Sequence, residues 1–416
     1  MAIPRIRVLL DVSPITPRPE LRTGLARVAL CLAQGLAADP GIDLSTCAWG
    51  SLRASRDFAD VARQFPEIHA TVPRTGVLEH WHERVRRAAD AAGGSAAAVA
   101  HRLGQAINVV RNPLRGVDLA AFDVVHSTYA RFPRVVRRAG RPTLLTLHDL
   151  TPLRLSEKMI DSAQRAITSR IVASIRPTDW VACVSEFTRH DFLAWCDHPP
   201  ERVVAIPNGV DADAFGASAV PSDLADVRRR FGLGDAPFAL TLSSLAAHKN
   251  LALLLRIWPD VRRSLGTPAT LVVAGGKSAD ASSVRRSLGI GSEDTSIVTT
   301  GFVSDADFRG LAAATNAFLF PSLYEGFGLP VLEAMAAGAP VIVSNRTSVP
   351  EVVGAAGTLI DPADQTAWTA AVAAALAQPP RTSPHAASVA RAREFSWERT
   401  VAGYRSLYER MVAASA

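Results

Sequence analysis

The sequence predicts an α/β protein built from two doubly wound, Rossmann-like domains that face each other across a cleft. Four observations carry that expectation. Short apolar runs alternate with longer amphipathic segments almost from end to end, as buried parallel strands alternate with helices. The rhythm starts twice. A stretch rich in small and breaker residues, Asp211-Ala212-Asp213-Ala214-Phe215-Gly216-Ala217-Ser218-Ala219-Val220-Pro221, separates the two series and reads as a hinge. The 416 residues are too many for one ordinary core and suit two. The expected domains are 1–210 and 211–395, with a last helix over about 396–416 packing back on the first.

In the first series, the apolar stretches 8–11, 44–48, 124–127, 143–147, 180–185 and 203–206 read as strands, with helical patterns over 23–38 and around 159–175. In the second, the strands are 238–243, 270–274, 297–299, 317–320 and 341–343. A second breaker-rich stretch, Gln378-Pro379-Pro380-Arg381-Thr382-Ser383-Pro384, precedes the last helix.

Composition narrows the class. A hydrophobic fraction of 48% with 20% charged residues belongs to a soluble globular chain, not a disordered one. The formal net charge of +6 favours anionic partners such as nucleotide diphosphates or anionic lipid. Four scattered cysteines, with no CxxC pair, read as reduced thiols in the cytoplasm. The apolar run at the start is too short for a signal segment, and no stretch approaches the ~20 apolar residues that span a bilayer. A cytoplasmic protein is expected.

Ligands of open α/β sheets bind at the carboxyl ends of strands. The loop after 317–320 is the richest such place. It holds Glu325, Gly326, Phe327 and Gly328, then Leu329 and Pro330 in the first turn of the next helix. Free N–H groups at a helix start bind anions, so the loop can take a diphosphate without a metal. Glu333, read as lying in that first turn, could accept from ribose hydroxyls, and Glu325 from sugar hydroxyls. The blander alternatives are a helix-dipole partner and a solvated loop charge. Lys249 follows the strand 238–243 and opens a helix, so its ammonium can reach a phosphate in the cleft. His148 ends the strand 143–147 and points into the same cleft from the other domain.

The run Glu325-Gly326-Phe327-Gly328-Leu329-Pro330-Val331-Leu332-Glu333-Ala334-Met335-Ala336-Ala337-Gly338-Ala339-Pro340-Val341-Ile342 resembles the signature of the retaining GT-B glycosyltransferases of family four. The likeness is greatest to the bacterial mannosyltransferase-like branch that builds O-antigen and exopolysaccharide. Thr23-Gly24-Leu25-Ala26-Arg27, Thr146-Leu147-His148-Asp149, Val184-Ser185-Glu186-Phe187-Thr188, Ile206-Pro207-Asn208-Gly209-Val210-Asp211, His248-Lys249-Asn250 and Gly301-Phe302-Val303-Ser304 continue it in the same order. The resemblance implies a GT-B fold and metal-independent transfer of a hexose, with retention, from a nucleotide diphosphate sugar. GDP-mannose is the favoured donor, and the acceptor is a glycan or a lipid-linked saccharide.

By the same resemblance, His148, Lys249 and Glu325 are catalytic. Gly24, Ser244, His248, Val303, Gly326, Phe327, Gly328, Leu329 and Glu333 bind the donor. The family commonly has arginine where this chain has Ser244 or His248. A protonated His248 is one candidate for the missing cation. No cofactor or metal is expected: Asp211-Ala212-Asp213 reads as hinge, Asp305-Ala306-Asp307 as a helix cap, and His80-Trp81-His82 lacks a third ligand. A GT-B epimerase and a non-catalytic sugar-nucleotide-binding regulator stay open. Residues 74–138 carry eleven arginines against five acidic residues. They read as a solvated face or as a surface resting on anionic lipid at the inner face of the cytoplasmic membrane. No nucleic-acid motif is present.

Overall fold

The computed structural model describes residues 5–17, 23–71, 112–211, 224–275, 281–291 and 293–415, with residues 84, 85, 99, 103, 107 and 215. Twelve described strands form two six-stranded parallel sheets. The first contains β1 (Ile6–Asp11), β2 (Ile42–Cys47), β3 (Val124–Ser127), β4 (Thr143–Leu147), β5 (Trp180–Cys183) and β6 (Val203–Ala205), in the order β2-β1-β3-β4-β5-β6. The second contains β7 (Phe238–Leu242), β8 (Thr270–Ala274), β9 (Ile297–Gly301), β10 (Ala317–Phe320), β11 (Val341–Ser344) and β12 (Thr358–Ile360), in the order β12-β11-β10-β7-β8-β9. Every residue of β3, β4, β5, β10 and β11 is buried, as in parallel strands covered on both faces.

The helices used below are α1 (Gly24–Ala38), α2 (Glu186–Trp195), α3 (Leu251–Leu265), α4 (Asp305–Ala314), α5 (Leu329–Ala336), α6 (Val349–Val353) and α7 (Trp397–Ala413). Hydroxyl side chains cap several of them. Thr23, Ser185, Ser304 and Ser396 each accept a backbone N–H in the first turn of α1, α2, α4 and α7. None of the described helices is long and apolar enough to cross a membrane.

In the second sheet the chain runs outward from β7 through β8 to β9, then returns to place β10 on the other side of β7. The loops after β7 and β10 therefore leave from adjacent strands at the carboxyl edge of the sheet, the place where open α/β sheets bind ligands. The first sheet reverses in the same way between β1 and β3. Both reversals were invisible in the strand list, because order within a sheet is a long-range property.

Strand β12 escaped the sequence reading: it has three residues, two of them exposed, so no apolar run marks it. The strand expected over 180–185 stops at Cys183, because Ser185 leaves the sheet to cap α2. Most of the hinge stretch, the His80-Trp81-His82 run and most of the arginine-rich segment lie outside the described residues. Of the arginines that are described, Arg137 is not a free surface charge: it pairs with the buried Asp179.

The chain crosses back at Val210, whose N–H donates to Phe395 O at 3.1 Å, and α7 then lies on the first sheet. Val401, Tyr404, Leu407, Tyr408 and Met411 join the core formed by β1, β3, β4 and α1. A polar network locks this docking. His126 of β3, fully buried, meets the Tyr408 hydroxyl through Nδ1 at 2.7 Å and the Thr146 hydroxyl through Nε2 at 2.8 Å. Thr146 in turn meets the Tyr404 hydroxyl at 2.9 Å.

Burial pushes the His126 pKa down to about 3, so the folded protein holds it neutral. Between pH 3 and the ordinary value near 6.5, the unfolded chain binds a proton that the folded chain refuses. The stability this residue contributes is complete above that window and is lost as pH falls through it. Relative to a His126→Phe variant, the wild-type protein is expected to lose about 2 kcal/mol between pH 7.5 and pH 5. Urea unfolding of both proteins at the two pH values reads the difference directly; parallel pH profiles would refute it.

Candidate active site

The loop after β7 ends in a short turn, Ala247–Lys249, and Asn250 then takes a left-handed conformation (φ 54°) that starts α3. This turn is stitched to the loop after β10. Leu323 N donates to His248 O at 2.8 Å, and Asn250 Nδ2 donates to Pro321 O at 3.2 Å. The stitching brings the Lys249 ammonium to 2.6 Å from Glu325 Oε1 and 5.3 Å from the centre of the Phe320 ring. Both charged side chains are mostly buried. Two residues that sequence reasoning missed hold Glu325 in place. Its N–H donates to Thr347 Oγ1 at 3.0 Å, and Ser348 Oγ donates to Glu325 O and Phe327 O, each at 3.0 Å. Thr347 and Ser348 belong to the loop after β11, and their residue types alone signal only a turn.

The loop then enters α5. Gly328 has φ 108°, a conformation that favours glycine, and its carbonyl accepts from Val331 and Leu332 N–H. Among the described residues, the N–H groups of Gly326, Phe327, Gly328 and Leu329 have no protein acceptor. Together with the helix dipole they make a site for an anion. The Phe327 side chain itself is in the core, edge-on to Phe395 at 5.9 Å, so only its backbone is free to meet a ligand.

Gly326 has a different reason to be glycine from the one its sequence context suggests. A Cβ there would stand 1.8 Å from His148 O and 2.7 Å from Asp149 Cβ, so it is the other half of the molecule that approaches closely. Its carbonyl accepts from Ser185 Oγ at 2.7 Å and Thr188 Oγ1 at 2.9 Å, at the start of α2. A few residues away, the Glu351 carboxylate of α6 accepts from Glu186 N at 2.9 Å and Phe187 N at 3.2 Å, capping α2 across the two halves.

These contacts bring His148 beside the loop. Its Nε2 lies 2.8 Å from Thr128 O, so Nε2 carries the proton and Nδ1 is an acceptor. Burial lowers its pKa to about 4, leaving a neutral imidazole at neutral pH. The His248 pKa is lowered, first by burial and then by the neighbouring Lys249, which disfavours the second positive charge that a protonated His248 would supply in place of the missing arginine. Ser244 is exposed at the mouth of the loop.

Glu333 lies in the second turn of α5, not the first: the helix begins at Leu329, so the carboxylate sits one turn inside. It is buried, and burial pushes its pKa up to about 7 against the opposing charge of Arg27. Arg27 reaches it from α1, in the other half, with Nη1 2.7 Å from Glu333 Oε1 and Nη2 2.5 Å from Asp305 Oδ1. Gly24, at the start of the same helix, faces the Leu329 side chain with room to spare. Val303 packs into the second core. No group of three or more His, Cys, Asp or Glu side chains suited to a metal occurs among the described residues.

One family model, described as Glycosyltransferase Family 4, matches residues 22–214, and a second, Glycosyl transferases group 1, matches 236–378. The chain belongs to glycosyltransferase family four. It is a glycosyltransferase with the GT-B arrangement of two Rossmann-like sheets. It is 29% identical to the O-antigen chain mannosyltransferase B of Escherichia coli over 66% of this chain and 71% of that protein. It is 33% identical to the GDP-mannose-dependent alpha-(1-6)-phosphatidylinositol monomannoside mannosyltransferase of Mycolicibacterium smegmatis, over 49% of this chain and 55% of that one. Among solved structures, Anabaena HepE in complex with UDP and glucose superposes with a TM-score of 0.62 at 18% identity, covering 98% of this chain and all of the other. WaaG, a glycosyltransferase involved in lipopolysaccharide biosynthesis, gives 0.58 at 16%, covering 98% of each chain. At these identities the two structures speak for the fold alone.

Proposed function

We propose that this glycosyltransferase moves a hexose, with retention and without a metal, from a nucleotide diphosphate sugar to a glycan or lipid-linked acceptor in bacterial surface polysaccharide synthesis. One named relative is a mannosyltransferase and the other a GDP-mannose-dependent one, which favours GDP-mannose as the donor. The carrying observation is the Lys249–Glu325 pair at the reversal of the second sheet, in a loop whose Gly326 packs against the backbone of His148 from the other half.

In this reading the diphosphate lies on the free N–H groups of Gly326, Phe327, Gly328 and Leu329. The Lys249 ammonium takes the charge that develops on the leaving oxygen, and that oxygen receives the acceptor's proton. Glu325 orients the sugar, and Glu333 accepts from the ribose hydroxyls. His148 Nδ1, an acceptor, takes a hydrogen bond from a sugar hydroxyl. No carboxylate is assigned as base. Closure of the halves keeps water from the anomeric carbon.

A thermal-shift comparison of GDP, UDP, ADP and dTDP tests the donor. GDP is expected to raise the midpoint selectively, since ligand at ~100 times its Kd stabilises by about 2.7 kcal/mol. A response to UDP alone would move the donor to a UDP sugar. No response to any of the four would sink the donor-site assignment.

A further inference from the structure

Arg27 spans the cleft and ends on the one buried carboxylate that the proposed donor site uses for the ribose. It leaves the first turn of α1, in the half assigned to the acceptor, and its guanidinium lies 4.9 Å from the centre of the Phe215 ring. One arm of its fork meets Glu333 on α5 and the other meets Asp305 at the start of α4. That is a planar, two-armed contact of the kind arginine makes and lysine does not. Among the described residues, Glu333 Oε2 accepts from nothing, while Oε1 is taken by Arg27.

We propose that Arg27 is a positioning residue for the donor nucleoside: from the acceptor half it holds Glu333 as an aimed carboxylate, leaving Oε2 to the ribose, so that the ribose site is complete only when the halves are closed. This rests on the reading that Glu333 binds ribose. Burial by itself favours the protonated acid, which would offer one acceptor oxygen fewer, and the Arg27 charge opposes that protonation. Phe215 and Asp305 restrain the guanidinium, so the carboxylate is fixed in direction.

The test compares binding of GDP and 2′-deoxy-GDP (and of UDP and 2′-deoxy-UDP) to the full chain carrying the natural residue, Arg27→Met, Arg27→Lys or Glu333→Gln. Calorimetry gives each Kd, and thermal unfolding confirms that each variant is folded. Arg27→Met is expected to weaken ribonucleotide binding about tenfold or more and to erase most of the ribose-over-deoxyribose preference. Arg27→Lys should recover part of both. Because Arg27 acts through Glu333, the Arg27→Met, Glu333→Gln double variant should lose little more than either single one. Equal weakening of both sugars by Arg27→Met, or full additivity with Glu333→Gln, would overturn the proposal and leave a merely structural bridge. Tighter binding by Arg27→Met would overturn it in favour of a contact that competes with the donor. If Glu333→Gln itself leaves the ribose preference intact, the ribose assignment of Glu333 fails, and the role of Arg27 fails with it.

Discussion

Lys249→Ala is expected to lower kcat by about 10²–10³-fold while changing donor KM far less. The ammonium lies on the leaving-group side of the proposed reaction, where charge grows only as the glycosidic bond breaks, so its loss is felt in the transition state more than in binding. Removing one preorganised donor from a developing oxyanion typically costs about 3–4 kcal/mol, which is the stated range. Two nearby groups are poor replacements: the His248 pKa is lowered, and the Arg27 guanidinium is committed to Glu333 and Asp305. The variant also leaves Glu325 without its 2.6 Å partner in a mostly buried position. A Lys249→Ala, Glu325→Gln double variant separates the two effects: it should restore stability lost by the lone carboxylate without restoring turnover. Nucleotide diphosphate release with acceptor present is the measurement. A kcat within about fivefold of wild type would remove Lys249 from the chemistry.

Gly326→Ala should be the most damaging alanine substitution among the described glycines. The added carbon would stand 1.8 Å from the His148 carbonyl oxygen, which is backbone and cannot rotate aside. Gly326 cannot retreat either, since Ser185 and Thr188 both grip its carbonyl. The clash can be relieved only by parting the two halves at this seam. The expected result is a loss of about 3 kcal/mol or more in stability, or a structure opened at the cleft, with turnover down at least about 100-fold. Urea unfolding and small-angle X-ray scattering distinguish the two. Gly24→Ala is the control, because a Cβ there meets its nearest neighbour at 3.8 Å and α1 gains a better helix former. Its stability should stay within about 1 kcal/mol of wild type. If Gly326→Ala behaves as mildly, the two halves do not meet in solution as they do here.

Much of the site was legible because its signals are local. Gly328 before Leu329-Pro330 announces a turn entering a helix, and a helix start announces an anion site, without reference to the rest of the chain. The strand runs are equally local, which is why β3, β4 and β10 were placed to the residue while the exposed β12 was missed. Glu333 was set one turn too early because helix ends depend on which residue caps them, and a glycine cap in the left-handed region looks like loop in sequence. The close approach at Gly326 was not legible at all, because its neighbour there, His148 O, is distant in the chain.

By itself, then, the sequence determined the α/β class, the double series of strands, the glycine-rich turn into a helix and, through the order of its motifs, the enzyme family. All of these rest on short-range preferences of glycine, proline and apolar runs, or on residues standing close together. Only the tertiary structure decided the partnerships and the charges. Lys249 meets Glu325 across 76 positions because β7 and β10 lie side by side, and Arg27 meets Glu333 across 306 because α1 faces α5 over the cleft. The lowered pKa values of His148 and His248 and the raised pKa of Glu333 come from burial, which no residue type encodes until the chain has closed around it.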